Sequence, residues 1–309
     1  MKFSIVIPCK EIDAYVEECM SHCLKLNHNN YEIILLPDEK TNKEYKKTKI
    51  IRTGKVKPSI KRNIAAKESK AGVLAFIDSD AYPNKDWLKN AEKYLEKEKI
   101  GAVGGPNLTP EHDHILQKAS GDILSSPLTG RSSIRYKIIN KPLFVKELPS
   151  CNLLIKKEVF NKTKGYVPEL LTAEDTKLCF DIIDLGKKIL YIPNVIVYHH
   201  RRFLFRPHLK QMFIYGRDVA YLIKKQFSFD KLYYSILSIF TIYLFIGLIL
   251  SFFYTSIKNF YLITIFIYLL STFIHSLKYK RFFLVFPGLI LTHIYYGAGF
   301  LYGLITKEK

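Results

Sequence analysis

Ala75-Phe76-Ile77-Asp78-Ser79-Asp80 closes an apolar run that begins at Val73 and then turns abruptly acidic. Val73 to Ile77 reads as a strand buried on both faces, because an unbroken apolar run leaves no side for solvent. In open α/β sheets, ligands bind beyond the carboxyl ends of the strands, so the acidic turn stands where a ligand is expected. Two carboxylates one residue apart can hold a hard divalent cation together with substrate oxygens. The plainer reading is a polar turn, since Asp and Ser are common turn formers.

Working outward, Phe3 to Ile7 ends at Pro8 and Tyr31 to Leu36 ends at Pro37-Asp38, giving two further buried strands. Lys49 to Arg52 is short and β-prone. Ile12 to Leu26 has helical spacing of its apolar residues, and Ser59 to Ser69 reads as a helix with Pro58 at its start. Asp86 to Glu98 is a charged surface helix, and Ile100 to Val103 is a strand stopped by Gly104-Gly105-Pro106. Strands alternating with helices predict an α/β fold with a largely parallel sheet. Asn107 to Pro149 is polar and loop-rich. Further on, Thr172-Ala173-Glu174-Asp175-Thr176 opens a helix that Gly186 ends. Thr172 is placed to cap it, and acidic residues suit the positive end of the helix dipole. The functional alternative is a general base held on a rigid element.

The 309 residues carry 47 Lys+Arg against 28 Asp+Glu, a net charge of +19, and 48% are hydrophobic. So apolar a chain buries a core and is not disordered. Five Cys are too few for a disulfide scaffold. Cys19, His22 and Cys23 share one helical stretch, and small buried thiols explain them better than a zinc site lacking a second ligand pair. Phe3 to Ile7 is too short for a signal sequence, so the first ~230 residues are expected in the cytoplasm with reduced thiols.

Three long apolar runs follow, from Leu232 to Ile257, Asn259 to Leu277 and Phe282 to Thr306. Each exceeds the roughly 18 residues that suggest a membrane span. The basic residues before the first run, together with Lys278, Lys280 and Arg281, orient it with those flanks in the cytoplasm. The topology is then out, back and out again, with a turn at Lys258-Asn259, although Lys307 and Lys309 oppose it. Pro287, Gly288, Gly297, Gly299 and Gly303 mark the third run as broken or tightly packed. Phe203 to Phe227 is basic and aromatic and reads as an interfacial amphipathic segment.

In their order and spacing these stretches resemble the family-2 glycosyltransferases of the GT-A fold. The resemblance runs from the first strand into Pro8 and Glu11 and through Asp38, Lys61-Arg62-Asn63 and Asp78-Ser79-Asp80. It continues through Pro83 to Leu88, Val103 to Pro106, Cys151 to Ile155, Gly165-Tyr166 and Glu174-Asp175, to the strand ending at Val197. The tail, with His293, Tyr296, Gly297, Gly299, Phe300 and Gly303, looks like that of the membrane-anchored members. The first loop, Pro8-Cys9-Lys10-Glu11, is shorter than the family's usual one. The second strand ends Leu36-Pro37-Asp38-Glu39 rather than in an acidic pair followed by Gly-Ser.

The resemblance implies a nucleotide-sugar-binding, Rossmann-like mixed sheet flanked by helices in residues 1–202. An interfacial segment at 203–230 and a helical membrane region of about three helices at 231–309 would follow. Pro8, Glu11, Asp38 and Arg62 would line the nucleotide pocket. Asp78 would contact the ribose or metal, and Asp80 would ligate Mg²⁺ or Mn²⁺, with His199 as a further candidate ligand. Asp175 would be the catalytic base, supported by Glu174. His200, Arg201 and Arg202 would contact the diphosphate or lipid, though a basic membrane-surface patch also accounts for the arginines. The implied partners are a nucleotide-diphosphate sugar and a membrane acceptor, either a lipid-linked saccharide or the polyprenyl phosphate itself. Readings from other classes are a nucleic-acid binder, for which the spans and motifs speak poorly, a transporter component, and an inactive scaffold, against which Asp78, Asp80 and Asp175 argue.

Overall fold

The computed structural model describes residues 1–170 and 172–306. The terminal lysines weighed against the three-span topology lie outside the described residues. The chain forms two compact units: residues 1–111 with 134–200, and residues 112–133 with 201–309.

The first unit is built on an eight-stranded sheet. Its strands are β1 (Phe3–Pro8), β2 (Tyr31–Leu36), β3 (Thr48–Ile50), β4 (Val73–Phe76), β6 (Ile100–Gly104), β8 (Leu143–Val145), β9 (Leu153–Lys156) and β10 (Lys188–Tyr191). The order is β3-β2-β1-β4-β9-β6-β10-β8. β1, β2, β3 and β4 pair in parallel, as do β6 and β10. β9 lies antiparallel between β4 and β6, and β8 is antiparallel at the edge. The sheet is therefore mixed, as the resemblance implied, and less uniformly parallel than the strand–helix alternation suggested.

The first strands are buried on both faces and feed two cores. Ile5, Ile7, Ile33 and Leu35 face α1 (Ala14–Cys23) and α3 (Trp87–Leu95), where Val16, Met20, Trp87 and Leu88 meet them. Val6, Ile34, Leu36 and Phe76 face the other way, toward Ala65 of α2 (Pro58–Glu68), Val159 and Phe160 of α5 (Lys157–Lys162), and Leu178 and Ile182 of α6 (Glu174–Asp184). All five cysteines are buried and free. Gly104 and Gly105 are required by close approach: a Cβ on Gly105 would lie 2.2 Å from the Val195 carbonyl oxygen.

A smaller sheet, β5 (Ala81–Pro83), β11 (Val197–His199) and β7 (Asn107–Leu108), stands in the order β5-β11-β7. β11 runs antiparallel to β5, so His199 pairs with Ala81.

Among the described residues the second unit holds five α-helices: α4 (Ile115–Ser125), α7 (Arg206–Lys225), α8 (Ile236–Ser251), α9 (Thr255–Ser276) and α10 (Phe282–Ile305). α4 corrects the loop-rich reading of Asn107 to Pro149. Its buried face mixes Ala119, Ile123 and Leu124 with Gln117, Ser120 and Gly121, so small and polar residues interrupt its apolar stripe. The turn expected at Lys258-Asn259 is displaced as well. α9 starts at Thr255, and Lys258 donates its amide to the Tyr254 carbonyl, inside the first turn. Three segments, Lys231–Ser251, Thr255–Ser276 and Phe282–Ile305, are long and apolar enough to cross a membrane.

Candidate active site

The acidic turn after β4 folds as a metal-ligating constellation needs to. β11 pairs with β5 in the register that sets His199 opposite Ala81, one residue past Asp80. His199 Nε2 then lies 3.2 Å from Asp80 Oδ1. Ligand atoms of Asp78, Asp80 and His199 all fall within 4.8 Å of one another. Burial pushes the His199 imidazole down, but Asp80 and the Cys151 thiol outweigh it and raise its pKa to about 10. A site whose own field holds an extra proton on an imidazole is one that attracts a cation. Two carboxylate oxygens and a nitrogen suit a divalent ion of the Mg²⁺/Mn²⁺ kind, with the nitrogen favouring Mn²⁺. The residues present therefore fit such an ion.

Arg62 joins this cluster to the acidic start of α6. Its guanidinium is buried and donates from Nη2 to Asp78 Oδ1 at 2.6 Å and from Nη1 to Glu174 Oε1 at 3.1 Å. It also lies over the Tyr166 ring, 5.2 Å from the centroid. Burial works against the charge on Arg62, but Asp78, Tyr166 and Glu174 keep its pKa above the usual arginine value. One buried cation therefore spans carboxylates that stand 16 and 112 residues from it in sequence.

Glu174 and Asp175 sit in the first turn of α6, where helical backbone N–H groups favour negative charge. The N-cap is Ala173 and it makes no side-chain cap bond, so Thr172 does not fill the capping position expected of it. Burial, and then the neighbouring Asp175, raise the Glu174 carboxyl to about 8. Its Oε2 is buried without a hydrogen-bond partner among the described residues. Asp175 accepts from the Thr176 amide at 2.7 Å and the Ser150 amide at 3.3 Å. Its carboxyl is raised chiefly by burial, with Arg135 opposing and Glu147 adding.

Arg135 and Glu147 were invisible in the sequence. Arg135 Nη2 donates to Glu147 Oε1 at 2.9 Å, and Thr176 donates its hydroxyl to Glu147 Oε2 at 2.9 Å. Lys61 was noted only as part of a basic stretch. Its ammonium is buried, pairs with Asp38 and donates to the carbonyls of Cys9 at 2.5 Å and Leu36 at 3.1 Å, tying together the ends of β1 and β2. The signal that could have found it is two consecutive basic residues, Lys61-Arg62, in a helix that must bury a face. Elsewhere in the same unit, Trp87 Nε1 donates to Asn152 Oδ1 at 2.8 Å, and Asn152 Nδ2 donates to Val195 O at 2.8 Å.

The other expected residues are spread more widely. Pro8 ends β1, paired with Leu36, and Glu11 is exposed in the following bend. His200 turns from the acidic turn toward α1, with Nε2 at 2.8 Å from Glu18 Oε2, while its amide donates to Asp80 O at 3.0 Å. Arg201 and Arg202 open the second unit, Arg201 buried and Arg202 exposed.

The family model described as glycosyl transferase family 2 matches residues 4–163. A relative from Methanococcus voltae is 24% identical over 327 residues, 99% of this chain and 98% of its own length. It is a dolichyl N-acetyl-alpha-D-glucosaminyl phosphate 3-beta-D-2,3-diacetamido-2,3-dideoxy-beta-D-glucuronosyltransferase. A pre-mycofactocin glycosyltransferase of Mycobacterium tuberculosis is 21% identical over 171 residues, 53% of this chain and 34% of its own. Among solved structures, a mannosyltransferase from Pyrobaculum calidifontis in complex with GDP-Man and Mn²⁺ is similar with a TM-score of 0.60 at 14% identity. The likeness covers 98% of this chain and 87% of that one.

Proposed function

The chain belongs to glycosyl transferase family 2, and from that premise we propose that it moves a sugar from a nucleotide-diphosphate donor to a lipid-linked saccharide at the cytoplasmic face of a membrane. The observation that carries this reading is the buried Arg62, whose one guanidinium holds Asp78 of the acidic turn and Glu174 beside Asp175. A cation-attracting cluster and a candidate base are thereby joined in one constellation.

Residues 1–202 carry the catalysis, 203–230 lie at the membrane surface and 231–309 supply the membrane anchor. Asp38, pinned by Lys61, and Pro8 at the end of β1 line the nucleoside end of the donor site. Asp78, Asp80 and His199 would hold Mg²⁺ or Mn²⁺, which when bound supplies positive charge to the departing diphosphate. Asp175 accepts the acceptor's hydroxyl proton as that oxygen bonds to the anomeric carbon. The bond from that carbon to the diphosphate oxygen breaks on the opposite face, so the configuration inverts. Glu174, kept protonated by burial and by its neighbour, places no second negative charge beside the base. Arg62 holds Glu174 and Asp78 in place throughout.

The lipid-linked acceptor rests on two supports. The M. voltae relative, whose name specifies a dolichyl-linked substrate, aligns over 99% of the chain and thus over the apolar helices too. Those helices suit an acceptor that itself resides in the bilayer. The alternative acceptor, polyprenyl phosphate, is already ionised and needs no base. Purified full-length protein supplied with Mn²⁺ and a panel of nucleotide sugars tests the reading. Metal-dependent transfer to a short polyprenyl-diphosphate saccharide is expected. Failure of every nucleotide sugar to bind in the presence of Mn²⁺ would refute it, and transfer that is indifferent to Asp175→Asn would point to the phosphate acceptor.

A further inference from the structure

Contacts within the helical unit separate two kinds of apolar helix. α8 and α9 form a hairpin whose closed end is held by its own side chains. Tyr243 bonds to Thr264, Tyr261 donates its hydroxyl to Leu244 O at 3.0 Å, and a Cβ on Gly247 would lie 2.7 Å from the Tyr261 ring. The contacts of α10 with this hairpin gather at its open end. A Cβ on Gly297 would lie 2.4 Å from Leu237 O and 2.1 Å from Thr241 Oγ1 of α8. Tyr268 bonds to His293 Nδ1 at 2.9 Å, and the rings of Phe273 and Phe286 lie 5.4 Å apart.

Along α10, the contact with α9 at Phe286 and the contact with α8 at Gly297 are separated by about 16 Å at 1.5 Å per residue. Between them His293 meets both Tyr268 of α9 and the ring of Phe240 of α8, so α10 passes from α9 to α8 over the mouth-side half of the hairpin. Among its described residues, α9 buries only Thr272 and Ser276, both at that mouth. α10 instead buries residues along its whole length, from Val285 to Gly303.

What covers α10 is part apolar, with Ala119, Ile123 and Leu204 against Val285 and Leu289 and Ala220 and Ile223 against Phe300, and part polar and charged. α7 runs parallel to it, with His208 Nε2 at 2.9 Å from Thr292 Oγ1 and Lys224 Nζ donating to Leu304 O at 3.2 Å and Thr306 O at 2.6 Å. Between those points the two backbones touch. A Cβ on Gly216 would lie 2.1 Å from Tyr296 O, one on Gly299 2.0 Å from Phe213 O, and one on Gly303 2.4 Å from Arg217 O. α7 carries Arg206, Lys210, Arg217, Asp218, Lys224 and Lys225. The segment containing α4 adds Asp122 to Arg281 at 2.8 Å and the Leu128 carbonyl to His293 at 3.0 Å. A helix crossing the hydrocarbon would have to take these partners with it, and charged groups at that depth are expensive.

We propose that α10 does not cross the membrane: it lies along the basic face of the bilayer with α7 and α4. The chain crosses twice, through the α8–α9 hairpin, and its C terminus returns to the side that carries α7. Segments of 21 and 22 residues span ~30 Å of hydrocarbon without a third helix. Lys231, Lys278, Lys280 and Arg281 flank the mouth of the hairpin against Lys258 near its tip, which puts the mouth in the cytoplasm. The glycines of α10 then serve backbone contact with α7 and α8 rather than a break in a span.

Cysteine labelling tests the topology without any appeal to catalysis, so its failure leaves the proposed function untouched. The native thiols are all buried. Lys225→Cys, Tyr254→Cys at the hairpin tip and Lys309→Cys, in full-length protein, are exposed to a membrane-impermeant maleimide in sealed inside-out and right-side-out vesicles. The cysteine at 309 is expected to label from the same side as that at 225 and the opposite side from that at 254. Labelling of 309 together with 254 would overturn the proposal. A fluorescent protein that matures only in the cytoplasm, fused after Lys309, gives the second reading: fluorescence supports two crossings, and its loss alongside activity of an alkaline phosphatase fusion at the same place refutes them.

Discussion

Replacing Arg62 by Met removes the one cation that spans the site while keeping much of the side-chain volume. The guanidinium is 5% exposed, Glu174 12% and Asp78 30%. Taking away one partner of a buried pair typically costs about 3–5 kcal/mol, because the remaining charge stays uncompensated. Asp78 retains enough water to reduce that cost, and the protonation of Glu174 reduces it further, so a loss of about 2–3 kcal/mol is expected. For a unit of this size each kcal/mol moves the melting temperature by roughly 2–4 °C, which predicts a fall of roughly 5–10 °C. Thermal unfolding of the detergent-solubilised full chain measures it. The double variant Arg62→Met/Asp78→Asn should recover part of the loss, since Asn leaves no charge to strand, with a coupling of about 1–3 kcal/mol in the double-mutant cycle. A melting temperature unchanged within 1 °C in the single variant (roughly 0.3–0.5 kcal/mol), together with lost nucleotide affinity, would refute the bridging role. Arg62 would then be a direct nucleotide contact.

Asp175→Asn should lower turnover by roughly 10²–10⁴-fold, the usual contribution of a positioned base, while calorimetry finds nucleotide binding intact; wild-type turnover would exclude the role. Because burial raises the Asp175 carboxyl and the base acts only when ionised, kcat should fall on acidification at a higher pH than an exposed aspartate would give. Asn at 175 should erase that limb of the pH profile. Asp80→Ala should abolish Mn²⁺-dependent nucleotide binding and, with its carboxylate gone, let the His199 imidazole titrate well below its present value, which NMR of the ring protons can follow. Gly105→Ala should destabilise the first unit by more than about 2 kcal/mol, since the added methyl meets two backbone carbonyls that cannot rotate away; chemical denaturation reads it, and a neutral result would mean the loop shifts freely.

The legible parts of the site are those whose physics is local. A strand buried on both faces must be an unbroken apolar run, so β1, β2 and β4 and their ends at Pro8, Asp38 and Asp78 could be read directly. The acidic first turn of α6 was equally plain. α4 was not, because Gln117, Ser120 and Gly121 interrupt its buried face of Ala119, Ile123 and Leu124, and the partners of that face lie on α7 and α10. The family resemblance named His199 as the candidate ligand, although nothing local distinguishes it from the adjacent His200. The register of β11 on β5 chooses, sending His199 to Asp80 and His200 to Glu18. Arg135 and Glu147 lay in a stretch without periodicity, and only the packing of that stretch against Thr176 gives them meaning.

By itself, the amino-acid sequence determined the alternation of strands and helices, the acidic turn, the acidic helix start and three helices apolar enough for lipid. Each follows from the chemistry of a few neighbouring residues. Only the tertiary structure decided that Arg62 joins the two acidic elements, which histidine meets Asp80, and how α10 sits across the α8–α9 hairpin. Those outcomes depend on contacts between residues tens to more than a hundred positions apart, and no local propensity encodes which of many possible partners the folded backbone brings within reach of a hydrogen bond.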